Sequence, residues 1–147
     1  MKSNSIEKRL TRKIDHILLA KDSNNEEFSS GFDDIKLIHQ AVSTLDLDEI
    51  NISSTLFGKE LAAPLLINAM TGGPEIATKI NASFARVARK FGIGLAVGSQ
   101  KLAISDKRFR ESFTVVRKEN PTGLIFANIS ALASPKEVFE AAEMIEA

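Results

Sequence analysis

Pro64-Leu65-Leu66-Ile67-Asn68-Ala69-Met70-Thr71-Gly72-Gly73-Pro74 is the stretch on which the fold turns. Its first four residues form a short apolar run, and Gly72-Gly73-Pro74 ends the segment, which suits a strand buried on both faces. Helical spacing begins directly afterwards. Ile76, Ile80, Phe84, Val87, Ala88 and Phe91 fall on one stripe, and Pro74 stands where a helix start tolerates it. Gly92 and Gly94 stop that helix, and Gly94-Leu95-Ala96-Val97 reads as a second buried strand. Phe109, Phe113 and Val116 mark a further helix, ended by Asn120-Pro121 and Gly123. The third strand is Gly123-Leu124-Ile125-Phe126-Ala127. Ser134 and Glu137, with Pro135 between them, form a capping box that opens a helix through Val138, Ala141, Ala142 and Ile145.

Leu65, Leu95 and Leu124 sit thirty and then twenty-nine residues apart, each in an apolar strand followed by a helix. That alternation means parallel pairing through crossover helices. A doubly wound sheet and a (β/α)8 barrel both satisfy it. A complete barrel takes about 250 residues, so only some three of its eight units fit in 147.

Upstream, Ile6, Leu10, Ile14, Ile17 and Leu18 predict an amphipathic helix over residues 4–20, with Arg9, Arg12, Lys13 and His16 on a different face. Lys21 to about Gly31 is rich in Ser, Asn and Glu without periodicity and reads as a mobile loop. Residues 35–60 alternate short apolar pieces with acids and suit strands or irregular structure. Charge follows these divisions although its total is zero. Six basic side chains against Glu7 and Asp15 leave residues 1–21 at +4, whereas nine acids against Lys36 and Lys59 leave residues 22–60 at −7.

This balance gives no reason to expect a nucleic-acid surface. The absence of cysteine removes disulfides, thiol nucleophiles and cysteine metal sites, and it fits a reducing compartment. Ile17-Leu18-Leu19-Ala20 is too short for a secretory signal and nothing approaches a membrane span, so a cytoplasmic protein is expected.

In either parallel architecture ligands bind beyond the carboxyl ends of the strands. Three tips therefore matter: residues 68–73, Gly98-Ser99-Gln100 and Asn128-Ile129-Ser130. Small polar groups on a neutral rim suit a polar aromatic ring better than a metal; the plainer alternative is that they cap helices and satisfy turn backbone. Arg12, Lys13 and His16 could hold a doubly charged phosphate group, or form a solvated helix face. Asp33-Asp34 reads as a turn or helix entry before it reads as a metal pair, and the lone His39 as structural. No Ser/His/Asp arrangement, GxGxxG or P-loop is present.

Taken together, Arg12-Lys13-x-x-His16, Gly31-Phe32-Asp33-Asp34-Ile35, Asn68-Ala69-Met70-Thr71-Gly72-Gly73, Ala96-Val97-Gly98-Ser99-Gln100, residues 117–121 and residues 123–128 resemble the type 2 isopentenyl diphosphate isomerases in order and spacing. The resemblance runs from about residue 6 onward. It implies the first three β/α units of a partial (β/α)8 barrel over residues 61–147, preceded by a helix, loop and lead-in segment over residues 1–60. It implies a reversible allylic proton shift between isopentenyl and dimethylallyl diphosphate in isoprenoid biosynthesis, with reduced FMN, Mg2+ and NADPH. Ala69, Met70, Thr71, Ser99 and Asn128 would contact FMN. Arg12, Lys13 and His16 would hold the diphosphate, and Ser99 and Gln100 would line the substrate pocket.

No catalytic residue is identified. The Mg2+ ligand and the loops gripping the FMN phosphate would lie beyond Ala147, so the expectation is an inactive fragment with weak FMN binding, homo-oligomeric only at full length. The alternatives are another FMN-dependent oxidoreductase of 2-hydroxy acids, and a non-catalytic truncated product or half of a split enzyme.

Overall fold

The computed structural model describes residues 2–22 and 29–147. The loop expected between Lys21 and Gly31 falls largely on residues 23–28, outside the described residues. A first helix, α1 (Lys2–Asp22), contains no Gly or Pro. Its apolar residues are not covered in proportion: Ile14, Leu18 and Leu19 stay exposed. Gly31, at φ 82°, opens a 3-10 turn at Phe32–Asp34, so Asp33 and Asp34 form a turn. Residues 35–53 are exposed along their length and hold one further 3-10 turn, Leu47–Glu49. An antiparallel hairpin follows, β1 (Ser54–Leu56) and β2 (Lys59–Leu61), turning through Phe57 and Gly58, both at positive φ.

Three short parallel strands lie beyond it: β3 (Leu66–Ile67), β4 (Gly94–Ala96) and β5 (Ile125–Phe126). They pair in chain order, with Ile67 opposite Leu95 and Leu95 opposite Ile125. Between β3 and β4 runs α2 (Glu75–Phe91), which Gly92 ends in the left-handed conformation. Between β4 and β5 lie α3 (Lys101–Ser105), which the sequence reading did not anticipate, a 3-10 turn and α4 (Glu111–Glu119). The last helix, α5 (Pro135–Ile145), opens on the expected capping box: Ser134 Oγ accepts from the Glu137 amide, and Glu137 accepts from the Ser134 amide.

The partial barrel expected from the resemblance is not what the chain forms. Among the described residues two small separate sheets are present, the three-stranded one open and its strands two or three residues long. Closure into a barrel requires strands long enough to tilt and stagger around a common axis, and among the described residues β3 and β5 pair only with β4. The burial of the first strand on both faces fails for the same reason. As an edge strand, β3 leaves Leu65 and Leu66 substantially exposed.

The core lies on one face of the three-stranded sheet, where Leu95, Val97 and Ile125 meet Phe113 and Val116 of α4 and Ile145 of α5. Burying side chains of this size stabilises by about 1.5–3 kcal/mol each. Helix α2 corrects the sequence reading in a second way. Its buried residues are Ala77, Asn81, Ala82, Ala85 and Ala88. These small side chains let it approach α4, the helix it contacts most. The larger apolar stripe turns outward, with Ile76, Val87 and Phe91 exposed.

Candidate functional site

The carboxyl ends of β3, β4 and β5 are tied edge to edge. The Gly98 amide donates to the Thr71 carbonyl at 3.0 Å, and the Gln100 amide donates to the Asn128 carbonyl at 2.8 Å. Thr71, Ser99 and Asn128 therefore stand at one end of the sheet. A residue with Cβ at position 98 would put that atom 2.6 Å from the Thr71 oxygen, so glycine is what permits this approach.

Two helices fix the first tip from beneath. Ser112 Oγ accepts from the Gly73 amide at 2.7 Å, and Asn81 Nδ2 donates to the Ser112 carbonyl at 2.7 Å and the Thr71 carbonyl at 3.3 Å. The Phe113 ring packs so closely below Gly72 that a Cβ there would meet it at 2.2 Å. Asn81 and Ser112 escaped the sequence reading. The signal existed for Asn81, because an asparagine among alanines within a helix is unfavourable unless its side chain has a partner.

Gln100 fixes the third tip. Wholly buried, it donates from Nε2 to the Ala141 carbonyl at 2.7 Å and accepts at Oε1 from the Asn128 amide at 3.0 Å. Its amide is thus committed to holding the tip against α5. Thr71 is buried, Met70 and Ser99 are exposed, and Ala69 and Asn128 lie between these extremes.

Helix α1 crosses above the rim. Lys13 Nζ donates to the Ser99 carbonyl at 3.2 Å and lies 5.8 Å from the centre of the Phe113 ring. Burial, with a smaller contribution from the neighbouring Arg12 charge, lowers the Lys13 ammonium from 10.5 to about 8. Lys13 and His16 share a cavity of about 640 Å³ with Ala69, Met70 and Thr71. Arg12 is exposed and lies outside that lining, so the three basic residues do not converge on one point. His39 is exposed in the lead-in segment, among residues that line no part of this cavity.

The arrangement offers polar backbone and side chains on a flat rim, with a cationic group lowered onto it from above. The sequence matches a set of known proteins over most or all of its length. The chain is 48% identical over 136 residues to a Moorella thermoacetica protein, a match covering 92% of this chain and 39% of that protein. It is 45% identical over 122 residues to one from Methanosarcina barkeri, covering 82% and 33%, and 37% identical over 147 residues to one from Listeria welshimeri, covering 100% and 41%. All three are named isopentenyl-diphosphate delta-isomerase. The chain is similar to the isopentenyl-diphosphate delta-isomerases. It spans about two fifths of the length of the curated relatives it matches, and the name they share does not separate flavin-dependent isomerases from others. No family model matches the chain. Among the described residues no helix is long and apolar enough to cross a membrane.

Proposed function

We propose that this chain carries the cofactor-facing and phosphate-facing part of an FMN-dependent, type 2 isopentenyl-diphosphate delta-isomerase. In this reading residues 61–147 supply the rim on which FMN lies, and residues 1–60 supply the cationic helix that holds the substrate diphosphate. The observation that carries it is the hydrogen bond from Lys13 to the Ser99 carbonyl, which joins the cationic helix to the rim. The similarity to proteins named for this isomerisation supports the substrate assignment.

The residues present suit a flavin. Ser99 is exposed at the tip, Asn128 is half-buried at the neighbouring tip, and Ala69 and Met70 offer an apolar edge for a ring. The chemistry that reduced FMN would supply there is proton exchange with a nonpolar alkene. The chain's own contribution is position and electrostatics: the rim holds the ring flat, and Lys13 with His16 fixes the phosphate end of the substrate. The residues do not suit Mg2+. No group of three or more His, Asp or Glu that could hold a metal exists among the described residues, and no step is assigned to one here. NADPH is the expected reductant, and no residue of this chain is assigned to it.

Titration of FMN against the purified chain, read by quenching of flavin fluorescence, tests the rim. Ser99→Ala and Asn128→Ala should each weaken binding by about 2–10-fold, the worth of one hydrogen bond. Lys13→Ala and His16→Ala should weaken inorganic diphosphate and leave lactate unchanged. The reading is abandoned if FMN binds equally to all variants, or if the basic-residue variants weaken lactate as much as diphosphate.

A further inference from the structure

The cavity shared by Lys13 and His16 extends well past the rim. It runs outward between α1 and α2, walled by Ile17 from one helix and by Ile76, Ile80 and Phe84 from the other. Ile76 and Ile80 belong to the apolar stripe that the core leaves unused, Phe84 is partly buried against the core, and half of the Ile76 surface is open. Among the described residues its charged and titratable lining is all basic, with Lys21 and Lys79 joining Lys13 and His16. An apolar floor under a one-signed cationic rim is complementary to a molecule with an anionic head and a hydrocarbon tail.

We propose that this trough binds a single-chain amphiphilic phosphate or diphosphate whose tail is longer than the five carbons of isopentenyl diphosphate. The head sits at Lys13 and His16, Lys79 adds a third cation to it, and the tail lies along Ile76, Ile80 and Phe84. The inference rests on the reading that Lys13 and His16 hold an anion. It adds that the trough beyond them is a second, tail-reading part of the site, so longer-chain phosphates compete with a short substrate there. The occupant is a free amphiphile, because the trough is bounded by two helices rather than offering a flat cationic face to a bilayer.

The test is calorimetric titration of the 147-residue chain with inorganic diphosphate and with ethyl, hexyl and decyl phosphate below their micelle concentrations. Affinity should rise by about 3–4-fold per methylene buried and then level off once the trough is filled. Ile76→Asn should abolish that dependence on length while leaving inorganic diphosphate unchanged, and Lys79→Glu should weaken every phosphate by about 3–10-fold. Far-UV circular dichroism checks that both variants fold. Leu37→Asp, in the exposed lead-in segment, should change nothing.

Diphosphate binding with no gain from longer tails overturns the inference and leaves the anion reading standing, whereas no binding of any phosphate overturns both. A length dependence that survives Ile76→Asn or is lost in Leu37→Asp, or binding to phosphatidic acid vesicles alone, also overturns it.

Discussion

Replacing Gly98 by alanine should part the first two strand tips. The added Cβ would lie 2.6, 2.7 and 2.9 Å from the oxygen, carbon and Cα of Thr71, all backbone atoms that no rotamer change can move aside. Restoring ordinary carbon contact requires a shift of roughly 0.7 Å. That shift carries the 3.0 Å bond between the Gly98 amide and the Thr71 carbonyl beyond hydrogen-bonding range. Overpacking costs about 1–3 kcal/mol and a buried, unpaired backbone group about 1–3 kcal/mol more. A loss of about 2–6 kcal/mol is expected, which lowers a urea midpoint by about 1–3 M. The chain has no Trp or Tyr, so unfolding is followed by far-UV circular dichroism. Gly31→Ala provides the comparison: nothing stands within 4 Å of its Cβ, and only its φ of 82° penalises the side chain, at about 1 kcal/mol. A Gly98→Ala chain within 0.5 kcal/mol of the parent would refute the argument that the tips are in backbone contact.

Gln100→Leu should cost about 2–4 kcal/mol in the same urea experiment, because it strands the Ala141 carbonyl and the Asn128 amide in the interior; a neutral result would mean that water replaces the amide. Ser134→Ala should cost about 1 kcal/mol through loss of the α5 cap, read as a lower thermal midpoint.

The lowered pKa of Lys13 predicts two opposite trends with pH. As pH rises through about 8 the folded chain loses this ammonium, so diphosphate affinity should fall, and Lys13→Ala should flatten the profile. Between about 8 and 10.5 the unfolded chain binds a proton that the folded chain does not, so the contribution of Lys13 to stability should rise with pH over that interval. Glu137, held at about 2 chiefly by the hydrogen bond from Lys101 and then by the Ser134 amide, contributes in the other direction. Its share of stability is present above its ordinary value near 4.5 and is lost as pH falls towards 2, which Glu137→Gln should remove from the acid limb of the unfolding curve.

The positions of α1, α2, α4 and α5, the parallel order of β3, β4 and β5, and the polar strand tips were all legible in residue patterns. Apolar period, glycine stops and one capping box are local properties that a helix or strand end needs wherever it packs. Three matters were decided only by the tertiary structure. Whether strands close around an axis depends on their length and partners, which no local pattern records, and the open sheet replaced the expected barrel. Which stripe of α2 is buried was settled by fit: alanines approach α4 closely, the bulkier Ile76 and Ile80 were left to line a trough, and Phe84 stands between the trough and the core. The same distinction separates Gln100 from Lys13. Both are polar residues near the rim, yet one is sealed into the packing and the other is drawn down onto Ser99, because hydrogen-bond partners far apart in the chain meet only once the sheet and helices are assembled.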